Sequence, residues 1–141
     1  MRKPAFALLL AAVLSISVIP AHAQVVIIAS PDMKIESISR QDLRDLFTGA
    51  SQNLSHGSHV SPVLLTWTSP THNQFLQTYI GEKAGDFRAE WISQLFAGKQ
   101  RLPTTLATEA DVVDYVFHHP TTIGYIAQTT RHPGVNVLTI K

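Results

Sequence analysis

Continuous apolar runs alternate with stripes of helical period along this chain. Val25-Val26-Ile27-Ile28-Ala29 is apolar at every position, the pattern of a strand buried on both faces. From Ile38 the period changes. Leu43, Leu46 and Phe47 fall on one helical face, Ser39 stands at the N-cap with Asp42 three residues on, and Gly49 supplies the stop. This is the layout of a capping box with Asp in place of the usual Glu, so Asp42 is expected to reach back to the helix start.

The same grammar repeats. Ala50 to Ser61 is polar and reads as a surface loop, and Val60 to Thr66 as a second strand. Ser69 caps a helix with Pro70 at its first position, where a missing N–H costs nothing; Phe75, Leu76, Tyr79 and Ile80 form its apolar face and Gly81 ends it. Phe87, Trp91, Ile92, Leu95 and Phe96 predict a wide buried stripe on the next helix, stopped by Gly98. Leu102 to Ala107 is a connector or short strand. Thr108 with Asp111 repeats the cap, Val112, Val113, Val116 and Phe117 face the core, and Pro120 ends the helix. Ile123 to Ala127 and Val135 to Ile140 are the last strands, around the turn Arg131-His132-Pro133-Gly134. Alternating strands and helices predict an α/β domain, a three-layer α/β/α sandwich.

Composition changes the picture at the N-terminus. Arg2 and Lys3, the apolar stretch Phe6 to Val18 and Ala21-His22-Ala23 have the order of a cleaved export leader over residues 1–23. The apolar part is shorter than the about 18 residues a membrane span needs, so no stable span is expected after cleavage. Residues 24–141 then form one domain of roughly 120 residues, enough for a single core. Without Arg2 and Lys3 the 11 basic residues fall to 9 against 10 acidic ones, a net charge of −1 and no nucleic-acid footprint. The chain has no Cys, which leaves neither disulfides nor thiolate chemistry.

Candidate chemistry is sparse. At Ser69-Pro70-Thr71-His72 free N–H groups and the positive helix end can hold an anion, with hydroxyls from Ser69, Thr71 and the preceding Thr68, and a tunable charge from His72. Plain helix capping by Ser69 is the competing reading. Trp67 either stacks on a ligand or partner or belongs to the core. His56 and His59 are spaced for metal, but two histidines without a third fixed ligand read as a solvated loop, and no cofactor is implied. His118 and His119 suit a helix C-terminus. Asp42, Asp45, Glu82, Asp86, Glu90, Glu109, Asp111 and Asp114 read as capping and solvated carboxylates. No nucleophile elbow, zinc motif or phosphate loop occurs, so enzyme activity is not expected.

I-S-R-Q-D-L-R-D-L-F-T-G, W-I-S-Q-L-F-A-G-K and P-T-T-I-G-Y-I together resemble the phosphate-binding-protein-like family, type 2 periplasmic solute-binding domains related to the substrate-binding component of phosphate ABC transporters. The resemblance runs from about Val25 to Leu138. It implies a periplasmic-binding-protein-like single lobe, similar to the second of the family's two lobes, and recognition of a small oxyanion for an ABC permease. The family's phosphate binders carry a serine-glycine-threonine turn with a nearby arginine and aspartate where this chain has L-T-W-T-S-P-T, without Gly, Arg or Asp. Two functional expectations follow. The protein is an exported, periplasmic solute-binding domain with Trp67, Thr68, Ser69, Thr71 and His72 at its ligand site, or a non-enzymatic envelope module that grips a partner protein with the same face. A metal carrier using His56 and His59 is a weaker third.

Overall fold

The computed structural model describes residues 24–99 and 101–141; the leader expected over residues 1–23 lies outside the described residues. The strands are β1 (Val25–Ala29), β2 (Ser37–Ile38), β3 (Ser61–Leu65), β4 (Thr104–Leu106), β5 (Thr122–Ala127) and β6 (Asn136–Ile140). The helices are α1 (Arg40–Thr48), α2 (Pro70–Phe75), α3 (Ala84–Phe96) and α4 (Glu109–His118), and α2 runs directly into a π-helical segment, Leu76–Ile80. One sheet of order β2-β6-β1-β5-β3-β4 joins them. β1 is central and antiparallel to both β5 and β6, while β3 is parallel to β5 and β4. β5 and β6 are therefore not a hairpin, because β1 lies between them.

Successive side chains of β5 point to opposite faces, which defines the layers. A Cβ at Gly124 would meet Val112 and Val116 of α4. Its neighbour Tyr125 lies against Phe47 of α1 and stacks on Phe75 of α2, at a centroid separation of 3.9 Å. Helices thus cover both faces, the expected α/β/α arrangement. The apolar strands read from sequence are buried accordingly, with Ile27, Ile28 and Ala29 of β1 and Val63, Leu64 and Leu65 of β3 all in the core.

Helix ends follow the caps. Ser39, Ser69 and Thr108 each accept a backbone N–H from three residues on, and Gly49 and Gly81 stop their helices at φ 81° and 78°. Two α1 arginines serve a different helix. Arg40 donates to the Thr78 carbonyl at 2.8 Å and Arg44 to that of Ile80 at 2.9 Å, satisfying carbonyls at the C-terminal end of the π-helical segment.

Three expectations need correction. Asp42 does not close a capping box, because its carboxylate accepts from the amide and hydroxyl of Ser55 and ties α1 to the following loop. The buried stripe of α3 is narrower than expected: Phe87 and Trp91 are buried, but Ile92, Leu95 and Phe96 are 38%, 41% and 85% exposed. Phe96 lies nine residues beyond Phe87, roughly two and a half turns, and so faces the other way. Trp91 Nε1 and Gln94 Nε2 donate to the Phe47 and Thr48 carbonyls, so α3 rests on α1 along one line only. Phe117 is 44% exposed rather than core, lying against Gly134 at the surface.

Gly124 tests the β5–α4 contact. A Cβ there would sit 2.9 Å from Val112 Cγ1 and 3.3 Å from Val116 Cγ2. Overpacking costs about 1–3 kcal/mol, and the lost unfolded-chain freedom returns about 0.4–1 kcal/mol. Gly124→Ala is therefore expected to lower stability by about 1–2 kcal/mol in urea unfolding. A variant as stable as wild type would mean that α4 moves off the sheet without cost.

Candidate functional site

The C-terminal ends of parallel strands are where α/β sheets bind ligands, and here β3, β4 and β5 end together. β3 leads through Thr66-Trp67-Thr68 to the Ser69 cap of α2, and β4 leads to the Thr108 cap of α4. The Thr66 amide donates to the Leu106 carbonyl at 3.0 Å, holding the two exits side by side.

One carboxylate organises this rim. Glu109, the first residue of α4, accepts the Thr71 hydroxyl on Oε2 at 3.2 Å; on Oε1 it accepts the Thr130 hydroxyl at 3.0 Å and the Ala127 amide. Donors from α2, from the end of β5 and from the turn after it therefore converge on a single oxyanion that belongs to the chain itself. Capping of α4 is carried by Thr108, whose hydroxyl accepts the Asp111 amide at 3.1 Å, so Glu109 is free to do this. In the sequence Glu109 reads as an ordinary first-turn carboxylate. Its partners lie 38, 18 and 21 residues away, and no local pattern encodes them.

The expected site residues separate into groups. Ser69 spends its hydroxyl oxygen on the His72 amide at 3.3 Å, as a cap does. Thr68 is exposed and Thr71 is half-buried against Glu109. Trp67 is half-buried, with the Arg88 guanidinium 5.7 Å from its ring centroid and the Phe87 ring 6.0 Å away, so it joins core to surface.

His72 corrects its assignment. The ring is buried, and burial lowers its pKa from 6.5 to about 4, so at neutral pH it brings no positive charge. The Tyr125 hydroxyl accepts the Leu65 amide at 3.0 Å and lies in hydrogen-bond contact with His72 Nδ1. The tautomer of His72 sets which of the two donates in that bond. Burial raises the Tyr125 pKa, which keeps its hydroxyl protonated. Nε2 has no nitrogen or oxygen partner, and the ring stands edge-to-face with Trp67 and Phe87. Nδ1 is taken by the Tyr125 hydroxyl and the Ser69 hydroxyl meets the His72 backbone amide rather than the ring, so His72 is not placed as a general base for Ser69.

The loop histidines are exposed. His56 Nδ1 lies 3.1 Å from the Ser58 hydroxyl, and among the described residues no group of three or more His, Cys, Asp or Glu side chains could hold a metal ion. His118 and His119 each place Nδ1 2.8 Å from the carbonyl four residues back, at Asp114 and Tyr115, in keeping with a helix C-terminus. Among the described residues no helix is long and apolar enough to cross a membrane.

Comparison with known proteins follows the fold. No family model matches the chain, and no curated protein matches it significantly. Solved structures do match. PstS from Borrelia burgdorferi is 15% identical with a TM-score of 0.60, over 83% of this chain and 47% of its own. A putative phosphate ABC transporter substrate-binding protein with bound phosphate from Clostridium perfringens is 15% identical at 0.63, over 82% and 44%. An ABC-type phosphate transport receptor from Vibrio cholerae is 11% identical at 0.61, over 82% and 45%. This chain thus spans a little under half the length of each. At these identities the likeness is one of fold, and the chain has the fold of about half of a phosphate-type substrate-binding protein.

Proposed function

We propose that this protein is a non-enzymatic solute-binding lobe, exported to the periplasm by a leader at residues 1–23, that holds a small oxyanion at the rim of β3, β4 and β5 for an ABC permease. The carrying observation is the convergence of the Thr71 hydroxyl, the Ala127 amide and the Thr130 hydroxyl on the Glu109 carboxylate. Donors that suit a carboxylate also suit phosphate or sulfate, and Ser69, Thr68 and Trp67 border them at the start of α2. The names of the neighbouring solved structures support the same ligand class.

On this reading Glu109 competes with the ligand. A tethered acceptor acts at an effective concentration in the millimolar range or above, and it repels a second anion. If the rim is open less than about a tenth of the time, removing the tethered carboxylate tightens binding about tenfold. Calorimetry of wild type and Glu109→Ala with phosphate, sulfate and molybdate is expected to show weak heats in the first and at least that gain in the second. A folded Glu109→Ala protein that gives no heat with any of the three anions sinks the reading.

A second reading has its own observation, the apolar face of α3 at Ile92, Leu95 and Phe96. It makes the lobe an envelope interaction module whose rim is filled by Glu109 alone. A defined envelope protein that co-purifies with wild type and is released by Phe96→Asp, together with a Glu109→Ala rim that binds no anion, would put this reading in place of the first.

A further inference from the structure

The opposite end of β3 carries a feature independent of that rim. Ser61 begins the strand and Leu65 ends it, about 13 Å apart at 3.3 Å per residue. Around Ser61, and around Thr104 at the start of β4, lies a cleft of about 680 Å³, within the range of small-molecule sites. Three cationic or cation-forming side chains reach it from two segments: His59 from the loop before β3, and Lys99 and Arg101 from the connection between α3 and β4. None of its lining residues is acidic. The ion pairs among the described residues are Arg44–Glu82 and His118–Asp114, so Lys99 and Arg101 bring charge that no carboxylate neutralises. Ser61 and Thr104 add hydroxyls at strand ends, and Pro62 and Leu102 form an apolar wall on which Leu102 is 52% exposed.

The C-terminus of α3 adjoins the cleft, and its dipole by itself disfavours an anion. The fold blunts that end. The Ala97, Gly98 and Lys99 amides donate to the Ser93, Leu95 and Gln94 carbonyls at 3.0, 3.1 and 3.1 Å, so the last carbonyls are already engaged. What remains facing the cleft is positive charge, hydroxyl groups and apolar wall.

We infer that this cleft binds a small organic anion with two negative charges on an apolar body, of which a phosphomonoester is the simplest form. The charged group lies between Lys99 and Arg101, with His59 as a third donor, and the body rests along Pro62 and Leu102. Phenyl phosphate titrated calorimetrically into the full chain at low ionic strength tests this. It is expected to bind more tightly than inorganic phosphate, which lacks the body, to weaken with added salt, and to lose about tenfold in affinity in Lys99→Ala/Arg101→Ala. Both positions are exposed, so that variant folds as wild type does. Inorganic phosphate titrated into Glu109→Ala/Lys99→Ala/Arg101→Ala reports the rim separately, because that variant lacks the cations of the cleft. No heat from phenyl phosphate at millimolar concentration, or equal affinity in wild type and the double variant, overturns the inference.

Discussion

Lowering the pH from 7 to 4.5 is expected to cost the fold about 2–3 kcal/mol through His72 alone. The pKa of the buried ring is lowered from 6.5 to about 4 by desolvation. Between those values the unfolded chain takes up a proton that the native state refuses. The contribution is therefore fully present above about pH 6.5, declines as pH falls, and is exhausted near pH 4. Urea unfolding of wild type and His72→Gln at both pH values isolates it, because carboxylates titrating in the same window are common to the two proteins. Glutamine keeps a hydrogen-bonding partner for the Tyr125 hydroxyl but does not titrate. Stability curves that fall in parallel would show that His72 is not a neutral buried group.

Tyr125→Phe is expected to destabilise by about 2–4 kcal/mol although it removes a single oxygen. The ring would keep its place, stacked on Phe75 at an interplanar angle of 3° and edge-on to Phe47. The loss is in the polar partners. The buried Leu65 amide loses its acceptor and His72 Nδ1 loses its partner, and each orphan costs about 1–3 kcal/mol. The hydroxyl also joins three elements that shape the rim: the end of β3, the first turn of α2 and β5. Tyr79→Phe is the contrast, because its half-buried hydroxyl donates to the Val25 carbonyl at 3.2 Å and its loss is worth about 1 kcal/mol. A lower urea midpoint at constant slope would confirm a change of stability rather than of the unfolded state. A Tyr125→Phe protein within about 0.5 kcal/mol of wild type would refute the network.

Much of the fold is legible locally, for a physical reason in each case. β1 is apolar at every position because both its faces are covered, and the run Val25 to Ala29 says so directly. Ser39, Ser69 and Thr108 cap helices through bonds that span three residues, within reach of a sequence pattern. The glycine stops at Gly49 and Gly81 rest on a backbone conformation that other residues adopt at a cost. The same locality explains the errors. Asp42 has the right spacing for a capping box, but Ser55, 13 residues on, competes for it. Ile92, Leu95 and Phe96 are as apolar as core residues, yet burial also requires a partner surface, and α1 covers only one line of α3.

The sequence by itself determined the alternation of strands and helices and their caps and stops, because those rest on periodicity and bonds a few residues long. Only the tertiary structure decided the surroundings of the side chains at the start of α2. His72 is three residues from a helix cap and reads as an accessible charge. β5, more than 50 positions away along the chain, buries it against Tyr125 and makes it neutral. Glu109 reads as a solvated carboxylate, and the parallel alignment of β3, β4 and β5 sets it among donors of three separate segments. Burial and convergence belong to the packed chain rather than to any stretch of it, so the rim and the cationic cleft at the far end of β3 became visible only once the sheet had assembled.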